Sequence, residues 1–376
     1  MTHAPTLPQP RFPDPAAAPP LRWGLLAPGW IASNFARALH SHSSQRIVAV
    51  GSRTGSRAEE FAARFEIPRA HEGYDAVLED PRVDVVYVAS PHSEHRDHAL
   101  AAIAAGKHVL VEKAFTRNAS EAREVVAAAR SAGVFVMEAM WSRYLPHTDV
   151  LRQLFDDGAL GQVRHVRADF GSRADVGPGH RLLDPALAGG VLLDLGVYPL
   201  AFASFVARHS GLGRLPSAVT RSSSSAGAPS STSAASPTGP REGLQVTGEL
   251  ATTGVDAHVS IQAAVGGMHA ALFTSMLAQS PQTALVAGTE GRAETGPQFF
   301  APTSLTVHLE GGVATWDENV VRGLDGLCFQ AAALARYVTE GLGESPLQPL
   351  EETIGVLEVV DAVRAELGVR YPGESA

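Results

Sequence analysis

A single cysteine, Cys328, among 376 residues leaves no disulfide and no cysteine metal cluster within one chain. Cys328 itself reads as a small, half-buried apolar residue. Charged residues are sparse at 18%, and their balance is acidic, net −9. That argues against nucleic acid or an anionic membrane as the main partner. No stretch reaches the roughly 18 uninterrupted apolar residues of a membrane span. The first 21 residues are rich in proline and alanine and lack the basic start and apolar core of a secretory signal. They read as a disordered arm, 1–21, on a soluble cytoplasmic protein.

What is present is a globular composition, 45% hydrophobic, in a chain long enough for two domains. From 22 to 140 short apolar runs alternate with helical stretches. Trp23–Ala27, Arg46–Gly51, Val83–Ala89, His108–Val111 and Val134–Met137 read as strands, and a helix begins near Ser120, its expected cap. Strict β/α alternation predicts a doubly wound parallel sheet. From 141 to 376 the pattern changes. A helix over Thr148–Asp157 is followed by strands with few helices between them: Val163–Phe170, Leu244–Leu250, Val255–Ala264, His269–Leu277, Thr283–Ala287 and Leu305–Leu309. This predicts an α/β domain on an open, mostly antiparallel sheet, closed by helices near 326–340 and 350–367. Residues 221–242 are Ser, Ala, Pro and Gly with almost no apolar content, and read as a disordered insertion.

The first βα turn, WGLLAPGWIASNF, places Ala27, Gly29 and Ala32 at the positions of a G-x-G-x-x-G/A dinucleotide fingerprint. Gly29, Trp30 and Ile31 then open a helix N-terminus suited to a pyrophosphate. The second strand ends in Ser52 and Arg53, with no acid for a ribose 2′-hydroxyl, which favours NADP over NAD as the cofactor. At the next strand end, SPHSEHRDHAL supplies Ser90, His92 and His95 as cofactor-side residues. Its three histidines are three apart, drift around a helix and lack acidic partners, so no metal is expected, and His98 reads as surface. GKHVLVEKAF puts Lys113 just past a parallel strand, where open α/β sheets bind ligands, with Glu112 beside it to orient the ammonium. In LAGGVLLDLGVYPL, Asp194 and Tyr198 are four apart, on one face of a helix. A phenol near a lysine can lose its proton closer to neutrality and trade it with an alcohol or carbonyl oxygen.

This order of motifs resembles the glucose–fructose oxidoreductase/inositol dehydrogenase (Gfo/Idh/MocA) family from Arg22 to Gly373. VMEAMWSRYLP and ESPLQPLEETIGVLEVVDAVR look like its dimeric dihydrodiol dehydrogenase branch. The resemblance implies a nicotinamide-dependent oxidoreductase acting on a sugar, polyol or cyclic diol, with a C-terminal helix returning toward the Rossmann domain and a homodimer formed through the second-domain sheet. It implies Lys113 as the catalytic lysine, Asp194 and Tyr198 as the acid/base pair, and Trp141, Arg143 and Arg181 as substrate-cleft residues. Ala114 stands where the family carries proline, often after a cis peptide. A cis bond before alanine costs about 2.5–4 kcal/mol, so either that geometry survives or the Lys113 backbone relaxes. The alternative function is a non-catalytic, NADP-binding regulator of the same fold.

Overall fold

The computed structural model describes residues 6–12, 14–220 and 242–374. The insertion expected at 221–242 lies, apart from Glu242, outside the described residues.

The first sheet is built from β1 (Arg22–Leu26), β2 (Arg46–Ser52), β3 (Ala70–Glu72), β4 (Val85–Val88), β5 (His108–Val111) and β6 (Val136–Glu138), in the order β3-β2-β1-β4-β5-β6 and all parallel. The order reverses at β1, the switch point where such sheets bind dinucleotides. Connecting helices are α1 (Trp30–His42), α2 (Gly55–Phe65), the single turn α3 (Asp75–Leu78), α4 (His95–Ala104) and α5 (Ala119–Ala132). Every residue of β4, and all but the first of β1 and β5, is buried, because helices cover both faces. The cap of α5 is Asn118, whose side chain accepts from Glu121 N, rather than Ser120.

The second sheet follows α6 (Pro146–Asp156). It comprises β7 (Val163–Gly171), then, after α7 (Val197–His209), β8 (Gly243–Leu250), β9 (Asp256–Val265), β10 (Met268–Ser275), β11 (Ala284–Gly288), β12 (Gly291–Thr295), β13 (Leu305–Leu309) and β14 (Gly312–Trp316). The order is β14-β13-β12-β11-β7-β10-β9-β8, antiparallel except for β7 beside β10. One face packs on α7; the other presents Arg167, Phe273 and Leu285 at half-buried or exposed positions. The short strands β3, β12 and β14 carry too few apolar residues to be read from pattern. Two helices close the chain: α8 (Leu327–Thr339) packs on α1, and α9 (Leu350–Leu367) lies between α5 and α7.

The arm expected to be disordered is instead packed over its described residues. Arg11 N donates to Asp149 at 2.6 Å, the Arg152 guanidinium lies 5.8 Å from the Phe12 ring, and Arg336 donates to Asp14 O at 2.9 Å. Ala18 and Pro15 are buried. Polar and cation–π contacts hold it, which an apolar-pattern reading does not register.

Candidate active site

At the switch point, β1 turns into α1 through Ala27, whose φ of 65° lies in the left-handed region that glycine populates freely. Gly29 N donates to Ala27 O at 2.8 Å and closes the turn. No side chain caps α1, and a Cβ built on Gly29 would meet only Ala27 O, at 4.0 Å. Open space therefore faces uncapped backbone N–H groups, with Trp30 71% exposed beside them and Ile31 half-buried. These residues fit a pyrophosphate. At the end of β2 the Ser52 hydroxyl is buried and accepts from Thr54 N. Arg53 is exposed and has no ion pair among the described residues, and the same holds for Arg57 in the first turn of α2. Both guanidiniums act on Tyr74, so the two cations share one neighbourhood. Sequence reasoning missed Arg57, although its spacing of four from Arg53 was there to read.

At the end of β5 the Lys113–Ala114 peptide is cis. Lys113 Nζ donates to Asp194 O at 2.5 Å and lies 3.6 Å from Asp194 Oδ1. The carbonyl is presented by a π-helical turn, Leu192–Gly196, that runs into α7. Five residues on from Asp194 stands Pro199, which has no N–H to offer in a π turn. Arg181 completes the cluster, its Nη2 3.1 Å from Asp194 Oδ1. Burial alone would raise the Asp194 carboxyl, but Lys113 and Arg181 pull it down to about 2. Asp194 is therefore an ionised anchor for both cations.

Tyr198 stands one turn further along. Its ring faces Lys113 Nζ at 5.2 Å, and its Oη accepts from Trp141 Nε1 at 2.8 Å. Burial, with the Glu112 charge, pushes this phenol up, not toward neutrality. Phe170 from β7 and Phe300 from the β12–β13 connection stack at 4.1 Å and 6°, and the Phe300 ring lies 5.2 Å from Tyr198 and 6.4 Å from Trp141. Three aromatic rings, Trp141, Phe170 and Phe300, thus wall the phenol on one side, and the Lys113–Asp194 pair bounds it on the other.

Residues 21–140 match the oxidoreductase family with an NAD-binding Rossmann fold, and residues 148–294 match the GFO/IDH/MocA C-terminal domain. Trans-1,2-dihydrobenzene-1,2-diol dehydrogenase from Mus musculus is 37% identical over 360 residues, 94% of this chain and 98% of that protein. The Homo sapiens enzyme is 34% identical over the same shares. The chain belongs to the Gfo/Idh/MocA family of oxidoreductases. A 3-ketoreductase from Actinomadura kijaniata, solved with NADP, shares the fold with a TM-score of 0.73 at 25% identity, over 92% of this chain and 98% of its own. An aldose–aldose oxidoreductase from Caulobacter crescentus has a TM-score of 0.76 at 22% identity, over 93% and 98%.

Within this Gfo/Idh/MocA frame several expected site residues sit elsewhere than the motifs suggested. Glu112 does not orient the Lys113 ammonium. It is buried, accepts from Tyr87 Oη on one oxygen and from Lys113 N on the other, and so fixes backbone. His95 is fully buried, with its ring nitrogens on Ala114 O at 2.8 Å and Ser90 O at 2.9 Å. Such a ring holds the β5 loop and has no surface for a cofactor. His92 bridges Ala188 O and Lys113 O at 3.3 Å each, and burial and the neighbouring His95 push it down to about 3. Ser90 is buried, its Oγ bonded to His98 Nδ1, and His98 is half-buried against Tyr74. Arg143 is the clearest correction. It is 2% exposed, donating to Glu352 at 2.5 Å and to Ala201 O at 2.7 Å, so its charge is neutralised inside the fold instead of lining the cleft. Among the described residues no group of His, Cys, Asp and Glu is arranged to hold a metal.

The loop carrying Arg181 is tied from the far end of the chain. Tyr371 Oη donates to Gly189 O at 2.6 Å, and the Arg364 guanidinium lies 3.9 Å from the Tyr371 ring.

Proposed function

We propose that this oxidoreductase is NADP-dependent and acts on the hydroxyl or carbonyl of a cyclic diol, polyol or sugar. The observation that carries the reading is the convergence of Lys113, Asp194 and Tyr198 at the end of β5, in the sheet whose switch point is an open anion cradle. Gly29, Trp30 and Ile31 would hold the pyrophosphate, and Arg53 with Arg57 the 2′-phosphate. The bound nicotinamide supplies or accepts the hydride. Tyr198, intact at neutral pH, gives its proton to a carbonyl oxygen in reduction and takes it back in oxidation. Trp141 Nε1–H, already on the phenolic oxygen, stabilises the phenolate that forms. Lys113 is held by Asp194 where its charge also favours that phenolate. The rings of Trp141, Phe170 and Phe300 exclude water and suit a flat or apolar substrate face. The dihydrodiol relatives support a cyclic diol as the substrate class. A homodimer through the open face of the second sheet belongs to the same proposal.

The test is fluorescence titration with NADPH and NADH, then an absorbance screen of trans-dihydrodiols, polyols and sugars. NADPH should bind about tenfold or more tightly than NADH, and Arg53→Gln should remove most of that preference. Equal binding of the two overturns the NADP assignment. Tight binding without turnover across the panel overturns the substrate class.

A further inference from the structure

We propose that Asp256, at the start of β9, is a positioning residue for Lys113, anchoring the π turn whose carbonyl receives the ammonium. The proposal rests on the Lys113 chemistry given above. Asp256 is 0% exposed, on a strand of the second domain, so whatever it does for Lys113 it does through the backbone.

The link is short. Asp256 Oδ2 accepts from Leu192 N at 2.5 Å, and Leu192 opens the turn Leu192–Gly196. Two residues on, Asp194 O accepts from Lys113 Nζ at 2.5 Å. Val191, just before the turn, has no side chain that can cap it. The distant carboxylate takes the place of a local cap and meets the positive end of the helix that continues into α7. The chain makes room for it. Gly190 has a φ of 111°, and a Cβ there would come within 2.4 Å of Asp256 Oδ1. Gly190 N in turn donates to Leu182 O at 2.8 Å, in the loop that carries Arg181. The far end of the turn is seated on the same sheet, where a Cβ on Gly196 would meet Thr274 Cγ2 of β10 at 3.0 Å. Held at both ends by one sheet, the turn has a fixed height, and that height decides where its carbonyl meets a lysine arriving from the other domain. Burial raises the Asp256 carboxyl to about 6, against the pull of Leu192 N, its own N and Arg364. Arg364 is itself paired with Glu374. An apolar residue would suit such surroundings better, but it would leave Leu192 N without an acceptor.

Lys107 and Lys113 are the chain's two lysines, and Lys107 Nζ is bonded to Asp80 O and Val83 O, away from the turn. In full-length protein labelled with ¹³C-lysine and saturated with NADPH, the ε-carbon signals therefore report Lys113 beside an internal reference, and Lys113→Met assigns them. Asp256→Ala should shift the Lys113 signal and leave Lys107 in place. Asp256→Ser, whose oxygen stops short of Leu192 N, should shift it the same way with less disturbance of the fold. Asp256→Asn, which keeps an acceptor, should hold it at the wild-type position. With NADP+ and trans-1,2-dihydrobenzene-1,2-diol, kcat should fall roughly 10–100-fold in Asp256→Ala, the loss expected of a misplacement of about 1 Å. NADPH affinity should stay unchanged, and Asp256→Asn should keep most of the turnover. A Lys113 signal unmoved in both the Ala and Ser variants overturns the proposal. So does an equal shift in Asp256→Asn, or a kcat that ignores the shift. The lysine signals need no substrate, so these results are distinct from failure of the Lys113 mechanism itself, which full turnover in Lys113→Met would show and which would remove the proposal with it.

Discussion

At neutral pH the Lys113 cluster holds one ionised carboxylate and one intact phenol a turn apart, and burial acts on both. Asp194 escapes its effect because two cations face it, whereas Tyr198 has only the Trp141 N–H on its oxygen. The phenol is thus set to donate, and the carboxylate to hold. Tyr198→Phe should lower turnover by roughly 10²–10⁴ with NADPH affinity unchanged, the range for losing a general acid. Lys113→Met should do the same. Wild-type turnover in either variant, measured by NADPH absorbance, would remove that residue from the mechanism. Lys113, Asp194 and Tyr198 were legible because each lies in a compact local motif. Phe170 and Phe300 were not, since they meet across 130 positions and no local pattern links a strand end to a loop. Arg143 misled for the converse reason. Its neighbours in sequence belong to the cleft, while its partner Glu352 is 209 positions away.

Between elements, the β5 loop is fixed from below by groups that never reach the cleft. Glu138 at the end of β6 accepts from Phe115 N at 3.1 Å, from Gln348 Nε2 at 2.7 Å and from Thr353 Oγ1 at 2.9 Å, joining the loop to α9. Burial raises this carboxyl from 4.5 to about 7. The sign follows directly. The folded state holds the proton more tightly than the unfolded chain, so the stability it contributes is complete below about 4.5 and is lost as pH rises to about 7. Glu138→Gln cannot ionise, and Gln348 Oε1, which has no partner among the described residues, can accept from the new amide. Relative to wild type, the variant should therefore gain up to roughly 3 kcal/mol between those pH values and nothing further above them. Urea unfolding at pH 5, 6, 7 and 8 measures this; a pH-independent difference would show that Glu138 does not titrate in that window. The parallel sheet was readable from β/α alternation because both its faces are covered. The π turn was not, because it departs from the helical period by one residue and its consequence appears only against Lys113.

At the scale of the whole molecule, one stretch among the described residues, Pro185–His209, is long and apolar enough to cross a membrane, yet 83% of its most apolar window is buried inside the fold. Its apolarity serves packing under the second sheet. The opposite face of that sheet has no such cover. Phe273 stands there half-buried, paired in register with Asp169 on β7 and Ser260 on β9, with Leu285 on the far side of β7. The charged row of β7, Arg167 and Asp169, runs between these two apolar side chains, so the face joins apolar and charged groups, a mixture that interfaces also use. Sedimentation should give twice the 39.4 kDa chain mass, and Phe273→Glu should return it to one. A monomeric wild type would end the dimer proposal. The packed arm belongs at this scale too. Its order rests on distant partners, Asp149, Arg152 and Arg336, and composition alone does not reveal partners.

The Tyr371 clasp on Gly189 has a consequence in time. The two residues are separated by 182 positions, and a ribosome adds about 5–20 residues per second. A nascent chain therefore carries the Arg181 loop for about 10–40 seconds before the tyrosine that ties it down exists. The Rossmann sheet, finished by Glu138, is older still. Newborn molecules have a complete nucleotide cradle long before their reactive centre is closed, so dinucleotide occupancy can precede catalytic competence during synthesis.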